Sequence, residues 1–121
     1  TACIHKLPIQ IFVMDNKYLG MVRHWQDLFS DKRYSAVDMV GNPDFVKFAE
    51  AYGALGLRIK RPADAERIIR KALEYNDGPV LIHCECEKED NVFPMIPAGA
   101  PISSMITEPP KTQLEKPTGS T

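Results

Sequence analysis

An apolar run ends at Asp15-Asn16 and is followed by Lys17-Tyr18-Leu19-Gly20, so two side chains with hard oxygen donors stand just ahead of a glycine. Carboxylate and amide oxygens are ligands that Mg²⁺ accepts, and a glycine lets the backbone approach a phosphate closely. In an open α/β sheet, ligands bind beyond the carboxyl ends of strands, where the N-terminus of a following helix favours an anion. The pair Asp-Asn also makes an ordinary turn, so the local sequence leaves both readings standing. Met21 and Trp25 lie four residues apart and share a helix face. They read either as a core contact, since methionine packs well on aromatic rings, or as one wall of a small-molecule pocket.

The other reactive side chains form no such group. His5, His24 and His83 fall on different elements, and with Cys3, Cys84 and Cys86 they make no metal-ligand spacing. On one strand, Cys84 and Cys86 stand about 6.7 Å apart from the rise alone, wide for two thiolates sharing a zinc. They read as buried structural cysteines, and His83 as a solvated or half-buried strand residue. Glu85, Glu87 and Glu89 alternate, the pattern of an acidic edge that discourages sheet-to-sheet pairing. There is no Ser-His-Asp spacing and no phosphate-loop signature.

These residues need elements to position them. Ile9 to Met14 is β-branched and aromatic, follows Pro8 and ends at turn formers, which predicts a strand buried on both faces. Leu19, Val22, Trp25, Gln26 and Phe29 recur at helical spacing and predict a helix over 19–29. Residues 31–41 read as a connector. Asn42 then offers a cap and Pro43 a first helical position for a helix carrying Phe45, Phe48, Ala49 and Tyr52, stopped by Gly53. Leu55 to Lys60 is a short strand. Pro62 opens a helix with Ala65, Ile68, Ile69, Ala72 and Leu73 on one face, closed by Asn76-Asp77-Gly78. Pro79 to Cys86 alternates, with Val80, Ile82, Cys84 and Cys86 on one face and Leu81, His83, Glu85 and Glu87 on the other. This order predicts an α/β fold, three-layer, with a mostly parallel sheet. Residues 91–101 are apolar and proline-rich, a segment expected to pack on a surface. Residues 107–121 are dominated by Pro, Thr, Lys, Glu, Gly and Ser, which predicts a disordered tail.

The chain has 121 residues, room for one domain. Fifteen Lys and Arg against sixteen Asp and Glu leave a formal charge of −1, which gives no support to a nucleic-acid or anionic-membrane partner. At 44% apolar and 26% charged, the composition is that of a globular protein. No apolar run approaches the ~18 residues of a membrane span, and no basic flank leads into an apolar signal region. Three cysteines cannot pair completely within one chain, which fits a reducing, cytoplasmic setting. The chain starts with Thr, so it reads as a piece of something longer.

From Asp15 to Gln26, Asp-Asn-Lys-Tyr-Leu-Gly-Met-Val-Arg-His-Trp-Gln, the sequence resembles the large catalytic subunit of the acetolactate (acetohydroxyacid) synthase family. The resemblance continues through Asp31-Lys-Arg-Tyr-Ser35, residues 42–53, Gly78-Pro-Val-Leu81 and Asn91-Val-Phe-Pro-Met-Ile-Pro-Ala-Gly99, and so covers nearly all of residues 1–106. It implies that residues 1–106 are the C-terminal part of a thiamine-diphosphate-binding domain, truncated at the N-terminus. Such enzymes bind the cofactor through a motif that opens with Gly-Asp-Gly and closes with Asn-Asn. Here the closing pair is Asp15-Asn16, the first position departing from Asn. The resemblance gives the Mg²⁺ ligand role to the Asn16 side chain and to the Tyr18 carbonyl, and sets Leu19, Gly20 and Met21 beside the cofactor. Met21 and Trp25 would line the substrate pocket, with Trp25 helping to select the second 2-keto acid.

The implied reaction condenses two pyruvates, or pyruvate with 2-ketobutyrate, and releases CO₂, giving acetolactate or acetohydroxybutyrate for branched-chain amino-acid synthesis. No catalytic residue falls within the chain on this reading, because the opening Gly-Asp-Gly, the activating Glu and the FAD-associated domain belong to the parent; residues 1–121 alone are expected to be inactive. The parent is expected to be a homodimer or tetramer, with a possible regulatory small subunit, cytoplasmic or plastid-borne. Another thiamine-diphosphate carboligase or decarboxylase, and a non-catalytic α/β interaction module, are the alternatives.

Overall fold

Largely apolar runs set off by Pro8, by Gly53-Ala54 and by Pro79 give three short strands: β1 (Gln10–Asp15), β2 (Leu55–Ile59) and β3 (Val80–Glu85). Between them run helices α1 (Gly20–Phe29), α2 (Phe45–Ala51) and α3 (Pro62–Glu74). The computed structural model describes residues 1–109. Two units divide the chain, residues 1–89 and the residues from 90 on.

In the first unit all strands are parallel in the order β1-β3-β2, so the last strand in sequence lies in the middle. Gln10 to Asp15 pair with Val80 to Glu85 on one side of β3, and Leu55 to Ile59 pair with Val80 to Cys84 on the other. On one face, Ile68 and Ala72 of α3 pack against Ile59, Val80, Ile82 and Cys84. On the other face, α2 lies so close to β2 that a Cβ at Gly56 would sit 2.7 Å from the Val46 carbonyl oxygen. Helix, sheet and helix make the three layers that the element order predicts.

Three local expectations are corrected. β1 is not buried on both faces: it is an outer strand of this sheet, and Ile11, Phe12 and Met14 are 43%, 46% and 68% exposed. Apolar content alone does not distinguish an outer strand from a central one. The pattern of a fully enclosed strand belongs to β3, where Val80 to Cys84 are all buried. The glutamates do not mark a sheet edge either, because β3 is central and Glu85 pairs with Arg58 at 3.3 Å. Finally, α2 is capped by Asp44, whose carboxylate accepts from the backbone N–H of Val46 (3.0 Å) and of Lys47 (3.3 Å). Pro43 pushes the residue before it away from helical geometry, so the helix starts beyond the Asn-Pro pair.

Ahead of β1, the His5 N–H donates to the Thr1 carbonyl at 3.0 Å, Lys6 to Cys3 at 3.2 Å and Leu7 to Ala2 at 2.9 Å, with Lys6 at φ 49°. These are the bonds of a helix C-terminal cap, followed by Pro8. In the second unit, Met95 and Ile106 exchange backbone hydrogen bonds of 2.9 and 2.8 Å around a 3₁₀ turn at Ile102–Ser104. From residue 110 the expected tail lies outside the described residues. Among the described residues no helix is long and apolar enough to cross a membrane.

Candidate functional site

Asp15 closes β1 and turns its side chain into the protein, where it is buried. It accepts from the Lys17 backbone N–H at 3.0 Å, from the Lys17 ammonium and from His83 Nε2 at 2.7 Å. Burial disfavours its charge, but the hydrogen bonds from Lys17 and His83 outweigh burial and hold the carboxyl below the usual carboxylate range. His83 is therefore not solvated: it is 2% exposed on the central strand, with the Phe45 ring edge-on at 5.1 Å. A carboxylate facing Nε2 assigns the ring proton to that nitrogen. Alternation identified the face His83 shares with Leu81, but its partner lies 68 residues away in sequence.

The chain then reverses through Lys17, at φ 64°. The Asn16 Oδ1 accepts from the Tyr18 N–H at 3.1 Å, a side-chain-closed turn of the kind Asn favours. Tyr18 pairs antiparallel with Asp38, and the bonds on either side run from the Leu19 N–H to the Val37 carbonyl (2.8 Å) and from the Met39 N–H to the Lys17 carbonyl (2.9 Å). Tyr18 thus occupies the non-hydrogen-bonded position of the pair, where a residue's own N–H and C=O both point away from its partner. Since that N–H meets the Asn16 amide oxygen, the Tyr18 carbonyl is directed to the same side as Asn16. Immediately afterwards α1 begins with Gly20, where a Cβ would stand 2.9 Å from Asn16 Nδ2. Its first turn carries no side-chain cap and no acidic residue, so its backbone N–H groups keep their affinity for an anion.

Of the residues singled out from sequence, Asn16, Tyr18 and Gly20 are brought together at the strand end, with Leu19 as the N-cap of α1. Met21 is 68% exposed, which rules out a core contact within this unit. Trp25, one turn on, is half-buried and tilted on Phe29 with ring centroids 5.1 Å apart. Cys84 is buried and Cys86 partly so, both unbridged; burial, with a smaller effect of Cys86, pushes the Cys84 thiol up.

Sequence reasoning missed what surrounds the Tyr18 ring. The Arg23 guanidinium lies 5.0 Å from its centroid and 4.8 Å from that of Tyr34, and the Lys88 ammonium lies 4.7 Å from Tyr18. It also missed Arg58, which bridges Asp44 at 2.7 Å and Glu85 at 3.3 Å beside His83. Among the described residues, no group of three or more His, Cys, Asp or Glu is placed to hold a metal.

Residues 1–84 match a family model described as thiamine pyrophosphate enzyme, C-terminal TPP binding domain. The chain is 42% identical over 101 residues to the acetolactate synthase isozyme 2 large subunit of Escherichia coli (strain K12), covering 84% of this chain and 18% of that protein. It is 42% identical over 103 residues to an acetolactate synthase of Mycobacterium avium (82% and 17%). With the acetolactate synthase large subunit of Cyanidium caldarium it shares 38% over 107 residues (88% and 18%). The chain thus spans less than a fifth of the length of these curated relatives. Among solved structures it is similar to the Rhodococcus jostii RHA1 thiamine diphosphate-dependent 4-hydroxybenzoylformate decarboxylase, with a TM-score of 0.63 and 27% identity over 71% of this chain and 16% of that one.

Proposed function

The chain belongs to the thiamine pyrophosphate enzymes, as part of their C-terminal TPP binding domain, and from that premise we propose that it is a piece of an acetolactate synthase catalytic subunit. Within it, residues 15–25 form one half of the site for thiamine diphosphate and Mg²⁺. The observation that carries this reading is the shared direction of two oxygens: the Asn16 amide oxygen bound to the Tyr18 N–H, and the Tyr18 carbonyl turned to the same side by the pairing with Asp38.

The residues present fit the group. Mg²⁺ takes oxygen donors and keeps positions for phosphate and water, so the Asn16 side chain and the Tyr18 carbonyl would supply two ligands and leave the rest to the diphosphate and to the parent. Leu19 and Gly20 bring backbone to the start of α1, whose free N–H groups would meet diphosphate charge. Gly20 keeps room for the Asn16 amide. Met21 and Trp25 would wall the pocket in which the 2-keto acids bind, and exposed Met21 is free to meet substrate. Thiamine diphosphate, when bound, supplies the electron sink that decarboxylation of a 2-keto acid requires. The protein's task is to anchor it, orient it and exclude water.

On the same reading the parent carries FAD, acts as a homodimer or tetramer with a regulatory small subunit, and works in the cytoplasm or a plastid. None of these features is assigned to a residue of this chain. In the full-length parent, Asn16→Ala is expected to weaken Mg²⁺-dependent binding of thiamine diphosphate by about 10- to 100-fold, followed by quenching of tryptophan fluorescence. Unchanged binding would overturn the assignment. The likeness to a decarboxylase favours a second reading, a simple 2-keto acid decarboxylase. Product analysis separates them: acetolactate from pyruvate supports the first, acetaldehyde alone the second.

A further inference from the structure

We propose that Arg23 and Lys88 are positioning residues for the metal-binding loop, acting through the ring of Tyr18. The inference rests on the reading above, in which the Tyr18 carbonyl is a ligand. A backbone carbonyl is only as well aimed as its residue's torsions, and this one follows a left-handed residue, Lys17, whose side chain is half exposed. Its direction must be fixed from elsewhere. The antiparallel pairing with residues 37–39 fixes one side of the backbone, and the ring is the remaining handle.

That handle is held by two cations from separate parts of the fold. Arg23 comes from the first turn of α1, is buried, and spans the rings of Tyr18 and Tyr34. Lys88 comes from the chain just beyond β3 and places its ammonium against the same ring. A cation is attracted to the face of an aromatic ring by the ring's quadrupole. Each cation is also tied to an anion that belongs to the loop's surroundings. Lys88 pairs at 3.7 Å with Asp38, the residue opposite Tyr18 in the antiparallel pair, and Arg23 pairs at 3.9 Å with Glu89, the neighbour of Lys88. The contacts therefore close two circuits through one ring: Tyr18 to Lys88 to Asp38 and back across the pairing, and Tyr18 to Arg23 to Glu89 and back through Lys88. Helix α1, the 37–39 segment and the exit from β3 all fix the torsions of residue 18. An aliphatic residue there would fill space but attract neither cation.

The test uses the full-length parent enzyme, with the Mg²⁺ concentration giving half-maximal thiamine diphosphate binding as the readout, followed by tryptophan fluorescence. Tyr18→Leu is expected to raise that concentration about three- to tenfold and Lys88→Met about two- to fivefold. For Lys88→Met at saturating Mg²⁺ and cofactor, kcat should return to within about twofold of wild type, because positioning the ligand costs occupancy rather than chemistry. A purely structural role predicts the reverse, a lowered melting temperature and kcat with an unshifted Mg²⁺ midpoint, and that result would overturn the proposal. If Tyr18→Leu fails to fold, Lys88→Met decides alone, since its side chain is about half exposed. Asn16→Ala is the control. If it leaves the Mg²⁺ midpoint unmoved, the metal site itself is misassigned; if it shifts the midpoint while Tyr18→Leu and Lys88→Met do not, only the positioning role is lost.

Discussion

At Asp15 a single atom separates this chain from the Asn expected at the first position of the closing pair, and the environment is built for the change. A carboxylate has no proton to donate, so each buried oxygen needs a donor, and Lys17 and His83 supply them. The consequence for acid stability has a definite sign. The ordinary value is 3.8 and the folded value lies below it, so the stabilising contribution is complete above about pH 4 and is lost as pH falls through the folded value. Asp15→Asn cannot ionise. Its melting temperature relative to wild type should therefore change between pH 5 and pH 2, wild type losing ground as acid is added, and parallel melting curves would contradict an ionised Asp15. At this scale the sequence is legible where neighbours in space are neighbours in the chain: Asn16, Tyr18 and Gly20 fall within five residues. His83 is not, because nothing local announces a partner 68 residues away, and the Tyr18 ring draws Lys88 from equally far off.

The elements were read more easily than their surroundings. Helical spacing located α1 and α3, and alternation located β3, because a 3.6-residue and a 2-residue period are written directly in the order of apolar residues. Which strand is central is not written there, since it depends on pairing. The cap of α2 was misplaced because Asn42-Pro43 and Asp44 are competing start signals, and only the carboxylate of Asp44 meets the free N–H groups. Gly56 had no signal at all. Its role is steric: α2 crosses β2 where a methyl group would strike the Val46 backbone. Gly56→Ala is accordingly expected to destabilise the domain by about 1–3 kcal/mol through overpacking, measured by urea denaturation. Wild-type stability would show that α2 can lift away without cost.

At the scale of the whole molecule, β1 carries exposed Ile11, Phe12 and Met14 on an outer strand. An unprotected apolar strand edge is a template for pairing with another chain. Purified residues 1–121 should therefore self-associate, with light scattering rising steeply with concentration and falling when Phe12 and Met14 are both replaced by Lys. A clean monomer at high concentration would contradict this. The α/β layering was foreseeable from the order of elements.

That same strand order sets a timetable. Among the described residues β1 and β2 are not paired with each other; each pairs with β3, which is the last of the three to be synthesised. Within this chain, neither meets β3 until residues 80–85 leave the ribosome, and such non-local closure is slow to form. His83 rides on that final strand, and so does the link to Lys88. The buried partner of Asp15 and one of the two cations on Tyr18 thus arrive with, or just after, the central strand. On the proposed reading, the loop at residues 15–20 therefore gains these supports only once β3 has joined β1.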